Sequence, residues 1–205
     1  DKNSISVIMG HNGSGKTLLL NLLQGLITPN SGSIRFNPQI KNCKNFISIM
    51  MQKPTFLRRT TQQNIQFILD LNKNKTRMSF LEVLERFDLV PQKNILANKL
   101  SGGEKQRLSL ALATSINSKI LLLDEPTANA DPLTTFRIEK IIKEEASAGK
   151  KIILVTHSIA QAKRLGQDLI FINNGKVLER NKATKFFTQS KTKEIVQFLK
   201  GEIIL

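Results

Sequence analysis

Short runs of apolar residues alternate with helical patterns along most of the chain. Several of these runs are apolar at every position, which is typical of parallel strands buried on both faces. Helical periodicity follows three of them. The alternation predicts an α/β fold with a mainly parallel sheet and right-handed crossovers. The runs with the length and composition of strands are ISVIM (5–9), FISIMM (46–51), ILLL (120–123), IILVT (152–156) and LIFIN (169–173).

The stretch 54–115 differs from the rest, because it is mainly helical in pattern and rich in Lys, Asn and Gln. We predict one domain, 1–205, in which 1–53 and 116–205 form the core and 54–115 forms an inserted helical lobe. Near the end, Asn174 and Gly175 lie between two apolar segments and predict a hairpin with a type I′ turn. A short helix and a tail are expected after it.

Composition adds a basic charge balance, with 31 Lys and Arg against 16 Asp and Glu and a net charge of +15. The basic residues are spread along the whole chain, which favours a solvated surface, although the total charge would also suit an anionic partner. Cys43 is the only cysteine, so no internal disulfide can form. No run approaches the ~18 apolar residues of a membrane span, and no signal-peptide pattern is visible.

The segment GHNGSGKT follows the first predicted strand and precedes a predicted helix, and it fits the phosphate-binding pattern G-x-x-x-x-G-K-[ST]. Glycines let the backbone curl so that successive N–H groups face a phosphate. Lys16 is expected to hold the β- and γ-phosphates, and the Thr17 hydroxyl to bind Mg²⁺. A chance glycine turn is the alternative, and the strand and helix around the motif argue against it. The nucleotide-binding residues predicted here are Gly10, His11, Asn12, Gly13, Ser14, Gly15, Lys16 and Thr17.

Asp124 and Glu125 follow the apolar run ILLL, at the carboxyl end of a predicted buried strand. Open α/β sheets bind ligands at that edge. Asp124 can hold Mg²⁺ directly or through water, and Glu125 can take a proton from an attacking water. Ordinary turn or helix-start carboxylates are the alternative, but a phosphate-binding loop upstream favours the catalytic interpretation.

The segment LSGGEKQR, residues 100–107, combines a helix cap with glycines. Ser101 lies three residues before Glu104, the spacing of a capping box. Gly102 and Gly103 weaken the first turn, which indicates that something approaches this backbone closely. A helix start with bare N–H groups attracts anions, so we expect a phosphate here.

Three further polar residues have weaker signals. Gln52 and His157 each follow a predicted strand, although a loop glutamine and an ordinary histidine are simple alternatives. Asp131 precedes Pro132, a pairing that predicts a helix N-cap whatever else Asp131 does.

The order of these motifs resembles the ATPase domain of ABC transporters over nearly the whole chain, and LSGGEKQR separates that family from other P-loop ATPases. The resemblance implies a P-loop core with an inserted helical subdomain, and ATP and Mg²⁺ as cofactors. It implies that Gln52 senses Mg²⁺ and the attacking water, and that His157 contacts the γ-phosphate. Asp131 would belong to a loop that crosses a dimer interface, where this chain has ANAD instead of the family's serine-alanine-leucine-aspartate.

The resemblance also implies partners. Two cassettes would pack head to tail, so that Ser101, Gly102 and Gly103 reach the γ-phosphate on the partner's P-loop. Transmembrane permease subunits are expected, and through them a solute-binding protein, with this chain peripheral at the cytoplasmic face of the membrane and no nucleic acid bound. Family members carry strands ahead of the P-loop strand and an aromatic residue that stacks on adenine. Nine residues precede Gly10 and none is aromatic, so either the front strands are missing or adenine is held differently.

A finer resemblance concerns the solute. Segments 50–65 and 157–187 look similar to the ATPases of tungstate importers, a group close to the phosphate importers, although Ser158 stands where that group usually has aspartate. Import of a small oxyanion is therefore expected. One alternative is a soluble ABC-type ATPase acting on nucleic acid or the ribosome, but the interval between Gln52 and Ser101 has no sustained heptads. The other is a non-catalytic binding module, which the complete set of catalytic side chains argues against.

Overall fold

A computed structural model of the chain describes residues 4–36, 47–72, 78–128 and 130–202. Within these ranges the strands are β1 (Ile5–Met9), β2 (Ile47–Met50), β3 (Ile120–Asp124), β4 (Lys151–Val155), β5 (Asp168–Asn173) and β6 (Lys176–Lys182). The helices are α1 (Lys16–Gln24), α2 (Thr61–Leu71), α3 (Phe80–Arg86), α4 (Gly102–Thr114), α5 (Pro132–Ser147), α6 (Ile159–Leu165), α7 (Ala183–Gln189) and α8 (Lys193–Lys200).

The strands form one sheet in the order β2-β3-β4-β1-β5-β6. Every neighbouring pair is parallel except β5 and β6, which form the predicted hairpin. Asn174 and Gly175 both have left-handed backbone, with φ of 47° and 73°, as a type I′ turn requires. The mainly parallel α/β fold is confirmed, and each predicted apolar run overlaps an observed strand.

The inner strands β1 and β3 are buried on both faces, which explains why they lack alternation, whereas the edge strand β6 is largely exposed. Val7 and Met9 of β1 lie in one apolar cluster with helices of the core and the lobe, and Ile8 lies in the cluster on the opposite face with Leu20 of α1. All four side chains are at most 2% exposed. Because successive side chains of a strand point to opposite faces, a strand between the two clusters needs apolar residues at successive positions, as β1 has from Val7 to Met9.

Helices α2, α3 and α4 lie between β2 and β3 in the chain, where the helical lobe is expected. Each begins with a capping box, from Thr60, Ser79 and Ser101 respectively. These helices share one continuous apolar cluster with the sheet. The division of the chain at residues 54 and 115 therefore stays a prediction, because apolar packing runs across it.

Charged side chains also join the lobe to the core. Arg86, at the end of α3, donates hydrogen bonds to Glu144 (3.0 Å) and Glu145 (2.8 Å) on α5. Glu145 also faces Lys150 at 2.6 Å, and these two side chains are only 5% and 1% exposed. Glu144 is 44% exposed. The bridge between Glu145 and Lys150 is thus buried, whereas the bridge between Glu144 and Arg86 is solvated.

This difference predicts unequal effects of two matched substitutions on α5. Glu145→Ala removes the carboxylate between two buried or half-buried cations and should lower the free energy of unfolding by about 3–5 kcal/mol. Glu144→Ala removes a solvated partner of the same arginine and should cost less than about 1 kcal/mol. Urea denaturation of both variants measures the difference, and equal losses would contradict the assignment.

Candidate active site

Three neighbouring strands end at one edge of the sheet and bring the motif residues together. β1 leads into the loop 10–17, β3 ends at Asp124, and His157 follows β4. Because β3, β4 and β1 are adjacent and parallel, these carboxyl ends lie side by side. This is the edge at which open α/β sheets bind ligands.

The loop after β1 depends on glycine at two points. Gly10 has φ of 152°, and a Cβ atom there would lie 2.1 Å from the carbonyl oxygen of Ile172. Gly15 has φ of 100° and is the N-cap of α1, where it provides no capping side chain. The first N–H groups of α1 therefore remain available to an anion, which the helix dipole also favours.

Lys16 folds back across this loop. Its Nζ atom donates hydrogen bonds to the carbonyl oxygens of Gly10 (2.8 Å) and His11 (2.6 Å). Burial lowers the pKa of Lys16, and the charges of Glu125 and Asp124 oppose that shift. The ammonium group therefore lies inside the loop, where nucleotide phosphates could replace its carbonyl partners.

Thr17 and Asp124 meet between α1 and β3. The Thr17 hydroxyl donates a 2.7 Å hydrogen bond to Asp124 Oδ2. Burial raises the pKa of Asp124, while the Thr17 hydroxyl and the Lys16 charge oppose the shift. A hydroxyl and a carboxylate oxygen at this distance fit Mg²⁺, which prefers hard oxygen ligands and completes its shell with water and phosphate. Among the residues that the structure describes, no group of three or more His, Cys, Asp and Glu side chains could hold a metal.

Glu125 has left-handed backbone, with φ of 49°, and is 7% exposed. Its Oε1 atom accepts a 2.9 Å hydrogen bond from the backbone N–H of His157 and lies 2.7 Å from His157 Nδ1. Thr156 Oγ1 donates to Oε2 at 3.5 Å. Because a carboxylate only accepts, His157 Nδ1 carries the hydrogen when Glu125 is ionised. The strained backbone and these partners fix the direction of the Glu125 carboxylate.

The predicted capping box is confirmed at the start of α4, the signature helix, which begins within the segment LSGGEKQR. The backbone N–H of Glu104 donates to Ser101 Oγ at 3.4 Å, and that of Ser101 donates to Glu104 Oε2 at 2.8 Å. Ser101 and Gly102 are exposed, so the start of α4 faces outward. A ligand carried by another molecule could therefore reach it.

The predicted cap at Asp131 is also confirmed. Its Oδ1 accepts from the backbone N–H of Thr134 (2.9 Å) and its Oδ2 from the Thr134 hydroxyl (2.6 Å), and these bonds lower the pKa of Asp131. A Cβ atom on Gly103 would lie 3.3 Å from Thr134 Oγ1 and 3.7 Å from Asp131 Oδ2. Glycine at 103 thus lets α4 start close to the α5 cap, a reason within the chain that sequence reasoning missed.

The remaining predicted residues occupy different surroundings. Gln52 follows β2, beside β3, but its side chain is exposed and makes no hydrogen bond with Thr17, Asp124 or Glu125. Asn12 and Gly13 are exposed at the tip of the loop, and Ser14 is buried. The structure thus gathers the P-loop with Asp124, Glu125 and His157, and leaves Gln52 apart.

Two supports of the P-loop carried no signal recognised in the sequence. The hairpin turn contacts the loop, because the Gly175 N–H donates to the Ser14 carbonyl oxygen at 3.1 Å. From α8, the Phe198 ring lies edge-on to the His11 ring with centroids 5.0 Å apart. The apolar spacing of α8 was the available signal, but it did not reveal what the helix packs against.

Comparisons with known proteins agree with this geometry. The family model described as ABC transporter matches residues 1–128, which is more than half of the 205-residue chain. The tungstate uptake system ATP-binding protein TupC of Peptoclostridium acidaminophilum is 36% identical, over 87% of this chain and 86% of its own length. The L-cystine import ATP-binding protein TcyC of Bacillus subtilis is 29% identical, over 97% and 87% respectively.

Among solved structures, the ATP-binding cassette MJ0796 as a dimer in a post-hydrolysis state with ADP and Pi has a TM-score of 0.79. It is 28% identical, and the match covers 89% of this chain and 87% of that one. In the described part of the chain, no helix is both long and apolar enough to span a membrane. The chain belongs to the ABC transporter family and is an ABC-type ATP hydrolase.

Proposed function

We propose that this chain is the subunit that energises import of a small solute by hydrolysing ATP in a head-to-tail dimer. The observation that carries the proposal is the meeting of Lys16, Thr17, Asp124 and Glu125 at one sheet edge. Lys16 and Thr17, which follow β1, would bind phosphate and metal. They lie beside the end of β3, where Asp124 would help to hold the metal and Glu125 would accept a proton. The names of the similar importer subunits support the direction of transport.

ATP would bind with its phosphates in the loop 10–17, where the N–H groups of α1 and the Lys16 ammonium supply positive charge. Mg²⁺ would be held by Thr17 and Asp124, with Gln52 approaching from β2. When bound, the metal would neutralise charge on the β- and γ-phosphates. Its arrival would also favour the ionised form of Asp124, which burial otherwise disfavours.

Glu125 is the general base in this proposal. In the conformation described, the His157 ring contacts one oxygen of the Glu125 carboxylate, with Nδ1 2.7 Å from Oε1. The His157 side chain is 63% exposed and can turn toward a γ-phosphate. That exchange of partners would remove the ring contact from Oε1, which would keep the His157 N–H and could accept a second hydrogen bond from an attacking water. Nucleotide binding and release of the base would then be linked events.

The second nucleotide-binding surface is the start of α4. Ser101, Gly102 and Gly103 would contact the γ-phosphate held by another copy of the chain, with Asp131 beside them across the interface. The exposed, capped start of α4 supports this arrangement. The dimeric state of the similar cassette supports it too.

The solute is proposed to be tungstate or a related oxyanion. The support is the 36% identity with a tungstate uptake ATPase. An ATPase named for cystine import is 29% identical, so the solute is the finer part of the proposal. Permease subunits would hold the chain at the cytoplasmic face of the membrane and connect it to a solute-binding protein.

The permease would dock on the helical lobe. Leu57 is 40% exposed and belongs to the segment that leads from Gln52 to α2. The buried Asn64 side chain holds this segment by two hydrogen bonds to the backbone of Leu57. Asn64 Oδ1 accepts from the Leu57 N–H at 3.0 Å, and Asn64 Nδ2 donates to the Leu57 carbonyl oxygen at 3.3 Å. Phe56, which precedes Leu57, is half-buried against the apolar cluster and contributes to packing.

The base assignment predicts that Glu125→Gln binds ATP but loses most turnover, by about 10²–10⁴-fold, because glutamine cannot accept the proton. Phosphate release by the purified full-length protein measures turnover, and calorimetry measures binding. The variant should also accumulate as an ATP-bound dimer on sizing. Turnover close to that of the parent protein would rule Glu125 out as the base.

The two nucleotide surfaces can be separated by a pair of variants in the Glu125→Gln background. Lys16→Ala should abolish ATP binding by the monomer, because no other side chain of the loop supplies that charge. Ser101→Arg fills the space for a partner's γ-phosphate and removes a cap worth ~1 kcal/mol. It should bind ATP almost as the background does but remain monomeric in light scattering. Equal loss of ATP binding in both variants would refute the head-to-tail arrangement.

The docking surface predicts that Leu57→Asp uncouples hydrolysis from transport, since a charge in an apolar contact costs about 2 kcal/mol of binding, or more than tenfold. Solute uptake by the reconstituted transporter and co-purification of the permease are the measurements. Leu178→Asp is the matched control, because Leu178 is 37% exposed on β6 at the opposite sheet edge. If Leu57→Asp retains both permease binding and uptake, docking lies elsewhere.

A further inference from the structure

Two buried glutamines, one on α4 and one on α6, hold the loop that follows Glu125. Gln106 of α4 donates from Nε2 to the Ala128 carbonyl oxygen at 3.4 Å. Gln161 of α6 donates from Nε2 to the Thr127 hydroxyl at 2.9 Å. The two glutamines are 6% and 1% exposed. The Gln161 contact is the shorter, and it lies two residues beyond the base.

The loop itself needs such support. Glu125 is a non-glycine residue with left-handed backbone, and the Ala128 N–H closes a tight turn on its carbonyl oxygen at 3.0 Å. A backbone of this kind persists only where its surroundings determine it. The direction of the backbone at Glu125 decides where the Glu125 carboxylate points.

Gln161 is itself held in place by a polar network. Its Nε2 also faces Glu139 Oε1 at 3.4 Å, and Arg164 grips both oxygens of Glu139, at 2.8 and 2.6 Å. Its backbone N–H donates to Ser158 Oγ at 3.2 Å, the N-cap of α6. Ser158 thus provides the cap where similar proteins were expected to have aspartate.

The position of α6 gives this network a second effect. His157 precedes the cap residue Ser158, so the start of α6 fixes the segment that carries His157. Gln161 therefore connects the loop of Glu125 with the segment of His157. The direct contact between those two side chains, 2.7 Å from Nδ1 to Oε1, depends on both being held.

We propose that Gln161 is a positioning residue for ATP hydrolysis, which acts through Thr127 to set the geometry of Glu125 and His157. The inference rests on the proposed role of Glu125 as the base. The hydrogen bonds of Gln161 run to Ser158, Thr127 and Glu139, and none reaches the P-loop or its Lys16. It should therefore affect the chemical step and not nucleotide binding.

The test compares Gln161→Leu and Thr127→Val, separately and together, in the purified full-length protein. Both replacements are close in size and remove the hydrogen bond. Each should lower kcat for ATP hydrolysis by about tenfold or more, because small misplacements of a catalytic group are costly. KM should change by less than about twofold, since uniform binding is untouched. The double variant should be no slower than the slower single variant.

Gln167→Leu is the matched control. It removes a 3.0 Å hydrogen bond that Gln167 Oε1 accepts from the Ile5 N–H, at the end of β1 that lies away from the P-loop. A loss of stability alone would lower the melting temperature in both glutamine variants without the selective fall in kcat. Parental kcat in Gln161→Leu and Thr127→Val, or multiplying effects in the double variant, would overturn the inference. Glu125→Gln is measured in the same series. If Glu125→Gln is inactive but Gln161→Leu keeps parental turnover, only the positioning role is overturned. If Glu125→Gln itself keeps parental turnover, the base assignment and the inference are overturned together.

Discussion

Opposite charges buried at the ends of two parallel strands, β1 and β3, are the constraint on which the rest of this structure depends. Lys16, Asp124 and Glu125 are each less than 10% exposed. Buried ionisable groups are tolerated only where partners compensate for lost water, and here the compensation comes from each other, from the Thr17 hydroxyl and from backbone carbonyls. The sheet order brings these groups together, and the same closeness prepares them for a nucleotide phosphate and a divalent metal.

Elements distant from the P-loop support Glu125, the proposed base. Glu125 keeps a strained backbone because His157, Thr156 and the loop after it hold it from several directions. Gln106 connects that loop to the signature helix, and Gln161 connects it to α6. Movement of the lobe that carries α4 could therefore reach the base through one hydrogen bond. A permease docked on the lobe, as proposed above, would have this hydrogen bond as one route to the loop of Glu125.

The glycines of the signature segment connect two motifs within one chain. Gly103 lets the start of α4 approach Thr134 and Asp131, so the first turn of α4 lies beside the cap of α5. The head-to-tail dimer proposed above would use both elements. The family membership and the dimeric cassette that this chain resembles agree with such a use.

The sequence by itself determined the elements and the chemistry near them in the chain. Continuous apolar runs predicted the buried strands, Asn174 and Gly175 predicted the hairpin turn, and the spacing of Ser101 with Glu104 predicted the cap, because each depends on local backbone preferences or on burial of one segment. The motif residues at three strand ends were predictable for the same reason, since parallel strands end at one edge. Only the tertiary structure decided what lies behind them: Phe198 against His11, Gly175 against Ser14, Gly103 against Thr134, and Gln161 against Thr127. These contacts join residues up to 187 positions apart. A hydrogen bond or a ring contact between remote segments leaves no periodic pattern in either segment, so it becomes visible only when packing brings the two together.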